Sequence, residues 1–235
     1  MTEVVISQHF GLGDILFIEP IYRHYHNQGY RVTAPIMKEY LWIQEYIPYV
    51  SFVDCNKYPY DKESPTQRND GKLHVPLRFA HPLLRGYDLH YGDDRKFWMP
   101  DKYTYLGLPV ELWKTLSFKR NYDRENKLID LLNLPEKFIF VNNNFGGSFE
   151  RINISANHLP VVEMRKIEGF TMLDWGGVIE RATEIHTVET SLLYYVESLN
   201  TNAPRHLYPR LPFLENVEYM RELLHNWILH DKNSI

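Results

Sequence analysis

The sequence predicts an α/β fold of two lobes, each built on a parallel sheet. Three observations carry that reading. Short apolar runs alternate with helix-like stretches, the pattern of βα units. The alternation comes in two blocks, with a boundary placed near Asn121. A chain of 235 residues and 28.1 kDa fits one large domain or two small lobes and nothing larger.

In the first block, residues 3–7 read as a short buried strand. The turn Gly11-Leu12-Gly13-Asp14 then opens a helix over 15–28, which Gly29 stops. A second strand is expected over 31–33, a second helix over 37–46 and a third strand over 51–54. Residues 56–72 turn to Lys, Pro, Asp, Ser, Asn and Gly, the composition of a long surface loop. Residues 74–103 mix His, Arg and aromatics without a clear period.

The second block begins with a helix over 124–132 and a strand over 137–142, carried by Phe138-Ile139-Phe140-Val141. Further strands are expected over 161–164, 171–173 and 184–188, with helices over 177–182 and 190–199. A closing helix over 215–229 places Val217, Met220, Leu223, Leu224, Trp227 and Ile228 on one stripe, broad enough to need burial. The expected organisation is a first lobe over 1–120, a second over 121–208, and a segment 209–235 whose helix packs back on the first lobe.

Composition narrows the function. A hydrophobic fraction of 44% with 24% charged residues supports a buried core and excludes a fibrous or low-complexity chain. No apolar run approaches the roughly 20 residues of a membrane helix, and Met1 leads directly into strand-like Glu3-Val4-Val5-Ile6 rather than a secretory leader. The single cysteine, Cys55, has no internal disulfide partner and no nearby ligand spacing for zinc. A cytoplasmic location is the expectation. A net charge of -4 with a pI near 6.3 argues against retention of nucleic acid by bulk charge. The 17 tyrosines suit either a surface that handles sugars or bases or an aromatic-rich core.

Two segments sit where chemistry is expected. Gly11-Leu12-Gly13-Asp14 joins the first strand to the first helix, where glycines permit a tight turn and free N–H groups await an anion or hydroxyl. Position alone leaves Asp14 as either a helix cap or a carboxylate at the mouth of a cleft. The turn lacks the third glycine of a G-x-G-x-x-G dinucleotide fingerprint, since Leu16 stands there. In the second block, Asn142-Asn143-Asn144-Phe145-Gly146-Gly147-Ser148-Phe149-Glu150-Arg151 follows its first strand, offering close backbone approach and a positive charge from Arg151.

The run from Gly11 to Ile21, Gly-Leu-Gly-Asp-Ile-Leu-Phe-Ile-Glu-Pro-Ile, resembles the opening of the heptosyltransferase family of glycosyltransferases. Glu184-Ile185-His186-Thr187-Val188-Glu189-Thr190-Ser191 is similar to that family's strand followed by Asp-Thr-Gly and a helix, with Glu189 in place of the Asp, Ser191 of the Gly and Tyr194 of a His. The resemblance covers about the first 55 residues and 137–200. It implies a compact GT-B-like arrangement of two Rossmann-like lobes, and a glycosyltransferase moving a sugar from a nucleoside-diphosphate-sugar to an acceptor hydroxyl. It further implies Asp14 as catalytic base, and donor contacts from Gly13, Asn144, Gly146, Gly147, Ser148, Arg151, His186, Glu189, Thr190 and Ser191. Trp175 is the candidate for stacking on a nucleobase, and His74, Arg78, His81 and Arg85 for contacting the acceptor.

No cofactor is expected beyond the donor itself. The chain has no D-x-D triplet, and its eleven histidines show no H-E-x-x-H or similar spacing, so the site is expected to be metal-independent. The arrangement of Asp14 as base with Arg151, Thr190 and Ser191 at the leaving diphosphate implies inversion. Two other readings remain open: a phage-type transferase acting on hydroxymethylated cytosine in DNA, for which salt-sensitive DNA retention is the discriminating measurement, and a nucleotide-sugar-binding module without catalysis.

Overall fold

The computed structural model describes residues 2–8, 11–57, 71–77, 98–144, 151–152, 154, 159–208, 224 and 226–230. The chain divides into two compact units, Met1–Lys119 and Arg120–Ile235, each with a parallel sheet.

In the first unit, strand β1 (Glu3–Ser7) is apolar through Val4-Val5-Ile6 and lies at the sheet centre. Helix α1 (Leu12–Phe17) follows, then α2 (Glu19–Asn27). The sequence predicts one continuous helix here, and the break at Ile18 has a direct cause. Pro20 occupies the first turn of α2, where it lacks an N–H for the preceding turn and its ring would clash with a continuing helix. Strand β2 (Arg31–Ile36), a 3₁₀ helix over Lys38–Glu45 where an α-helix was expected, β3 (Val50–Asp54) and β4 (Leu73–Pro76) complete the sheet in the order β3-β2-β1-β4. Most of the predicted 56–72 loop lies outside the described residues. Helix α3 (Trp98–Thr104) and a 3₁₀ helix over Val110–Thr115 are anchored on α1: the Tyr103 hydroxyl donates to the Phe17 carbonyl at 2.6 Å, and the Phe17 ring meets those of Tyr103 and Trp113.

Glu19, wholly buried at the start of α2, ties this side of the unit together. It pairs with Arg23 at 3.0 Å, accepts from the Ser117 N–H at 2.9 Å and accepts from the Tyr49 hydroxyl. Burial raises its carboxyl above the ordinary range against the pull of these partners.

The second unit opens with α4 (Tyr122–Leu132), capped by the Asn121 side chain accepting from the Arg124 N–H and closed by Asn133 in the left-handed region. Strands β5 (Ile139–Asn142) and β6 (Val161–Glu163) pair directly. The stretch 171–173, expected as a strand, is instead the start of a 3₁₀ helix over Met172–Trp175. A capping box nucleates it: the Asp174 carboxylate accepts from the Thr171 N–H at 2.6 Å and hydroxyl at 3.0 Å. Asp174 is held in turn by a two-pronged bond from Arg124.

Helix α5 (Gly176–Arg181) begins with two glycines because its neighbours leave no room. A Cβ at Gly176 would stand 2.3 Å from the Tyr195 hydroxyl, and one at Gly177 would stand 3.0 Å from Glu125 and Ile129 of α4. Strand β7 (Glu184–Val188), helix α6 (Leu192–Glu197), strand β8 (Arg205–Tyr208) and strand β9 (Trp227–Leu229) finish the sheet, ordered β6-β5-β7-β8-β9.

Strand β9 corrects the expected closing helix. Residues 227–229 pair in parallel with β8, Trp227 buried and Ile228 49% exposed, so the two side chains assigned to one helical stripe point to opposite faces of a sheet. Residues 215–223 lie outside the described residues, and within the segment 209–235 residues 227–229 belong to the second unit's sheet. Among the described residues, no helix is long and apolar enough to cross a membrane.

Candidate functional site

Both sheets have a place where the strand order reverses, and in parallel α/β sheets ligands bind at the carboxyl ends of the strands flanking that point. In the first unit it falls between β1 and β4. Asp14 stands in α1, directly after β1, and it does not cap the helix: Gly11 is the N-cap, with no side-chain cap bond. The carboxylate instead turns to Lys102 of α3, with Oδ1 2.5 Å from Nζ.

Lys102 is fully buried, and burial lowers its ammonium's pKa against the opposing pull of Asp14. Asp14 retains 14% side-chain exposure, so the pair has one face sealed in protein and one open rim. The Tyr22 phenol lies near the same carboxylate, its pKa pushed well up by burial and further by Asp14. It accepts a hydrogen bond from Gln8 Nε2 at 3.0 Å, while Gln8 Oε1 is buried without a hydrogen-bond partner.

Glycine at 11 is required by this geometry. A Cβ there would stand 2.9 Å from Asp14 Oδ2, inside contact distance. Gly13 lies beside Asp14 in the same turn. Lys102 and Gln8 went unnoticed in the sequence because nothing in spacing links them to Asp14. The one available signal was Asp101-Lys102-Tyr103, charged residues beside an aromatic in a stretch without a period. Of the residues expected to contact an acceptor, His74 lies within β4, in register with Val5, while Arg78, His81 and Arg85 lie outside the described residues.

In the second unit the reversal falls between β5 and β7, and a buried asparagine bridges the two strand ends. Asn142, the last residue of β5, donates from Nδ2 to the Thr187 hydroxyl at 2.9 Å and to the Thr190 hydroxyl at 3.2 Å. Its Oδ1 accepts from the Asn144 N–H at 3.1 Å, which turns the chain off the strand. Thr190 and Ser191 are half-buried, with Ser191 Oγ 3.6 Å from Met172 Sδ, and Glu189 donates its N–H to the Tyr208 carbonyl at 3.0 Å. Arg151 is 75% exposed, its guanidinium 3.8 Å from Glu163 at the end of β6. Asn144, Arg151, Glu189, Thr190 and Ser191 thus stand at the carboxyl ends of three adjacent strands. Gly146, Gly147 and Ser148 lie outside the described residues.

Two expected donor contacts are corrected. The Trp175 indole is enclosed in the core, 6.1 Å from the Phe140 ring, and has no open face for a nucleobase. His186 is buried partway along β7, bonded to Tyr208 and Glu184 rather than presented at the strand end. Side chains alternate along a strand, so Thr187 faces the Asn142 bridge and His186 faces away from it.

A parallel sheet with one strand-order reversal in each unit defines the doubly wound class of α/β folds. Solved structures make that class narrower. The chain is similar to the iron-containing dodecameric glycosyltransferase TibC of enterotoxigenic E. coli H10407, at 12% identity and a TM-score of 0.53 over 88% of this chain and 58% of that one. TibC in complex with ADP-D-β-D-heptose gives 11% identity and a TM-score of 0.52 over the same shares. A family 9 glycosyl transferase from Veillonella parvula DSM 2008 gives 11% identity and a TM-score of 0.53, over 88% of this chain and 80% of that one. The fold is therefore that of these glycosyltransferases, as the resemblance in the sequence implied. This chain spans under two thirds of TibC. No family model matches the chain, and no curated protein sequence matches it.

Proposed function

We propose that this protein is a glycosyltransferase that moves a sugar from a nucleoside-diphosphate-sugar to an acceptor hydroxyl, without a metal ion and with inversion. The observation that carries the reading is Asp14: a carboxylate released from capping, set at the strand-order reversal of the first unit and held by a buried lysine. As the acceptor oxygen attacks the anomeric carbon its proton becomes acidic, and Asp14 takes it late in the transition state, a role worth about 10²- to 10⁴-fold. Lys102 fixes the carboxylate in place. The bond from the anomeric carbon to the diphosphate breaks as the new one forms, which inverts the centre.

The second unit supplies the donor site. Asn142 orients the Thr190 hydroxyl, and Arg151 with the backbone after β5 meets the charge that grows on the leaving diphosphate. TibC has been captured with ADP-D-β-D-heptose, which makes adenosine diphosphate sugars the first donors to try here. Thermal shift against a panel of nucleoside diphosphates and their sugars tests the reading, since a ligand at 100 times its Kd stabilises by about 2.7 kcal/mol. A panel without any shift overturns it.

Arg151→Ala and Thr190→Ala are each expected to weaken nucleoside diphosphate binding by about tenfold, the loss of one charge-assisted or oriented polar contact. Unchanged binding in both variants, measured by calorimetry, removes the proposed phosphate pocket. Gly11→Ala tests the base separately. Its φ of -71° suits alanine, but the added Cβ displaces Oδ2 of Asp14. Turnover is expected to fall about 10²-fold for a stability loss of about 1 kcal/mol from the poorer N-cap. Full turnover in Gly11→Ala contradicts a role for that carboxylate.

A further inference from the structure

One face of the second unit's sheet carries a polar cluster set beside the apolar Val141, Val188 and Ile228. Glu184 and His186 of β7, His206 and Tyr208 of β8, and His230 just past β9 lie on neighbouring strands, with His186 and His206 direct partners in the parallel register. The two imidazoles stack at 4.2 Å with 4° between their planes, and Tyr208 and His230 stack beside them at 4.2 Å and 5°. One ligand atom from each of Glu184, His186 and His206 lies within 4.8 Å of the other two.

The hydrogen bonds around the imidazoles sort their nitrogens. His186 uses Nδ1 for the Tyr208 hydroxyl at 2.9 Å and turns Nε2 to the Glu184 carboxylate at 3.3 Å. His206 uses Nδ1 for His230 Nε2 at 2.8 Å, which leaves its own Nε2. Each imidazole is thus gripped from outside at one nitrogen, the way outer partners orient histidines around a metal.

We propose that Glu184, His186 and His206 bind a divalent transition-metal ion of the zinc type, which clips β7 to β8, with Tyr208 and His230 as the outer partners that orient the imidazoles. Two imidazoles and one carboxylate suit zinc and its first-row neighbours, whereas calcium and magnesium demand mostly oxygen. The parallel rings place their lone pairs side by side, so closing both on one ion takes a turn of one ring about its soft Cβ–Cγ torsion. The cluster lies on the sheet face opposite the Asn142 bridge, and the clip is structural rather than a participant in sugar transfer. The inference does not depend on the proposed enzymatic activity.

The test uses the full chain stripped with a chelator, dialysed into metal-free buffer and titrated with Zn²⁺ by calorimetry and with Co²⁺ by visible absorption. The expected result is one equivalent of Zn²⁺, an increase in thermal stability on binding, and a Co²⁺ spectrum of nitrogen and oxygen ligation without thiolate bands. His206→Gln and Glu184→Gln are each expected to weaken Zn²⁺ binding about tenfold or more, and His230→Gln by about 10- to 100-fold as an outer partner. Glu184 sits half-exposed at the start of β7, so its amide variant keeps the test usable if a histidine variant misfolds. Absence of stoichiometric binding, or equal Zn²⁺ uptake by the wild type and Glu184→Gln, overturns the proposal. Mg²⁺ binding with the affinity of Zn²⁺ overturns the assigned class of ion.

Discussion

Asp14→Asn is expected to reduce sugar transfer by about 10²- to 10⁴-fold, the worth of a positioned general base, while nucleoside diphosphate affinity stays unchanged. The same substitution is also expected to cost stability, because it leaves the fully buried Lys102 ammonium opposite a neutral amide. Removing one partner of a buried pair typically costs about 3–5 kcal/mol, and the open rim at Asp14 places this case near the lower figure. Activity and stability therefore fall together in the single variant, and a second variant separates them.

Replacing the pair by Asp14→Asn with Lys102→Met removes the buried ammonium together with its carboxylate partner and keeps the buried volume. Stability is expected to return to within about 1 kcal/mol of the wild type, since apolar replacement of a buried pair is often neutral. Turnover is expected to remain lost. Urea unfolding and a transfer assay on the same preparations decide the matter: if the double variant recovers turnover along with stability, Asp14 is a folding residue and the proposed mechanism fails.

Arg120→Met is expected to destabilise the second unit by about 3–5 kcal/mol. The Arg120 guanidinium makes a two-pronged bond to Glu125 of α4 and a third bond at 2.7 Å to Glu180 of α5, and it lies 4.9 Å from the Tyr122 ring centroid. Its removal takes the shared cation from the buried Glu125 and from Glu180. Arg120→Lys is expected to recover only part of the loss, because an ammonium cannot reproduce the planar fork. The measurement is the unfolding free energy from urea titration, and a loss below about 1 kcal/mol would reduce the network to a solvated surface pairing. Nucleoside diphosphate affinity of the folded fraction is expected to stay at the wild-type value.

Much of the fold was legible because local patterns and global topology agree. Val4-Val5-Ile6 and Ile139-Phe140-Val141 read as strands and are buried in strands inside their sheets. The misreadings have two causes: local chemistry overrode periodicity in two places and strand pairing did so in a third. Pro20 broke one predicted helix, the Thr171–Asp174 capping box turned a predicted strand into a helical turn, and Trp227–Leu229 followed the edge of β8 rather than its own helical stripe.

The sequence by itself determined the βα alternation, the position of Asp14 behind a glycine turn and the hydroxyl pair Thr190-Ser191 behind a strand. These follow from neighbours along the chain, where apolar spacing and turn residues act directly. Only the tertiary structure decided what those residues face: Lys102 against Asp14 across 88 positions, Asn142 against Thr187 and Thr190, and Glu184, His186 and His206 on adjoining strands. Parallel strands join through long crossovers, so residues that meet from adjoining strands are far apart in sequence, and no local spacing carries their pairing.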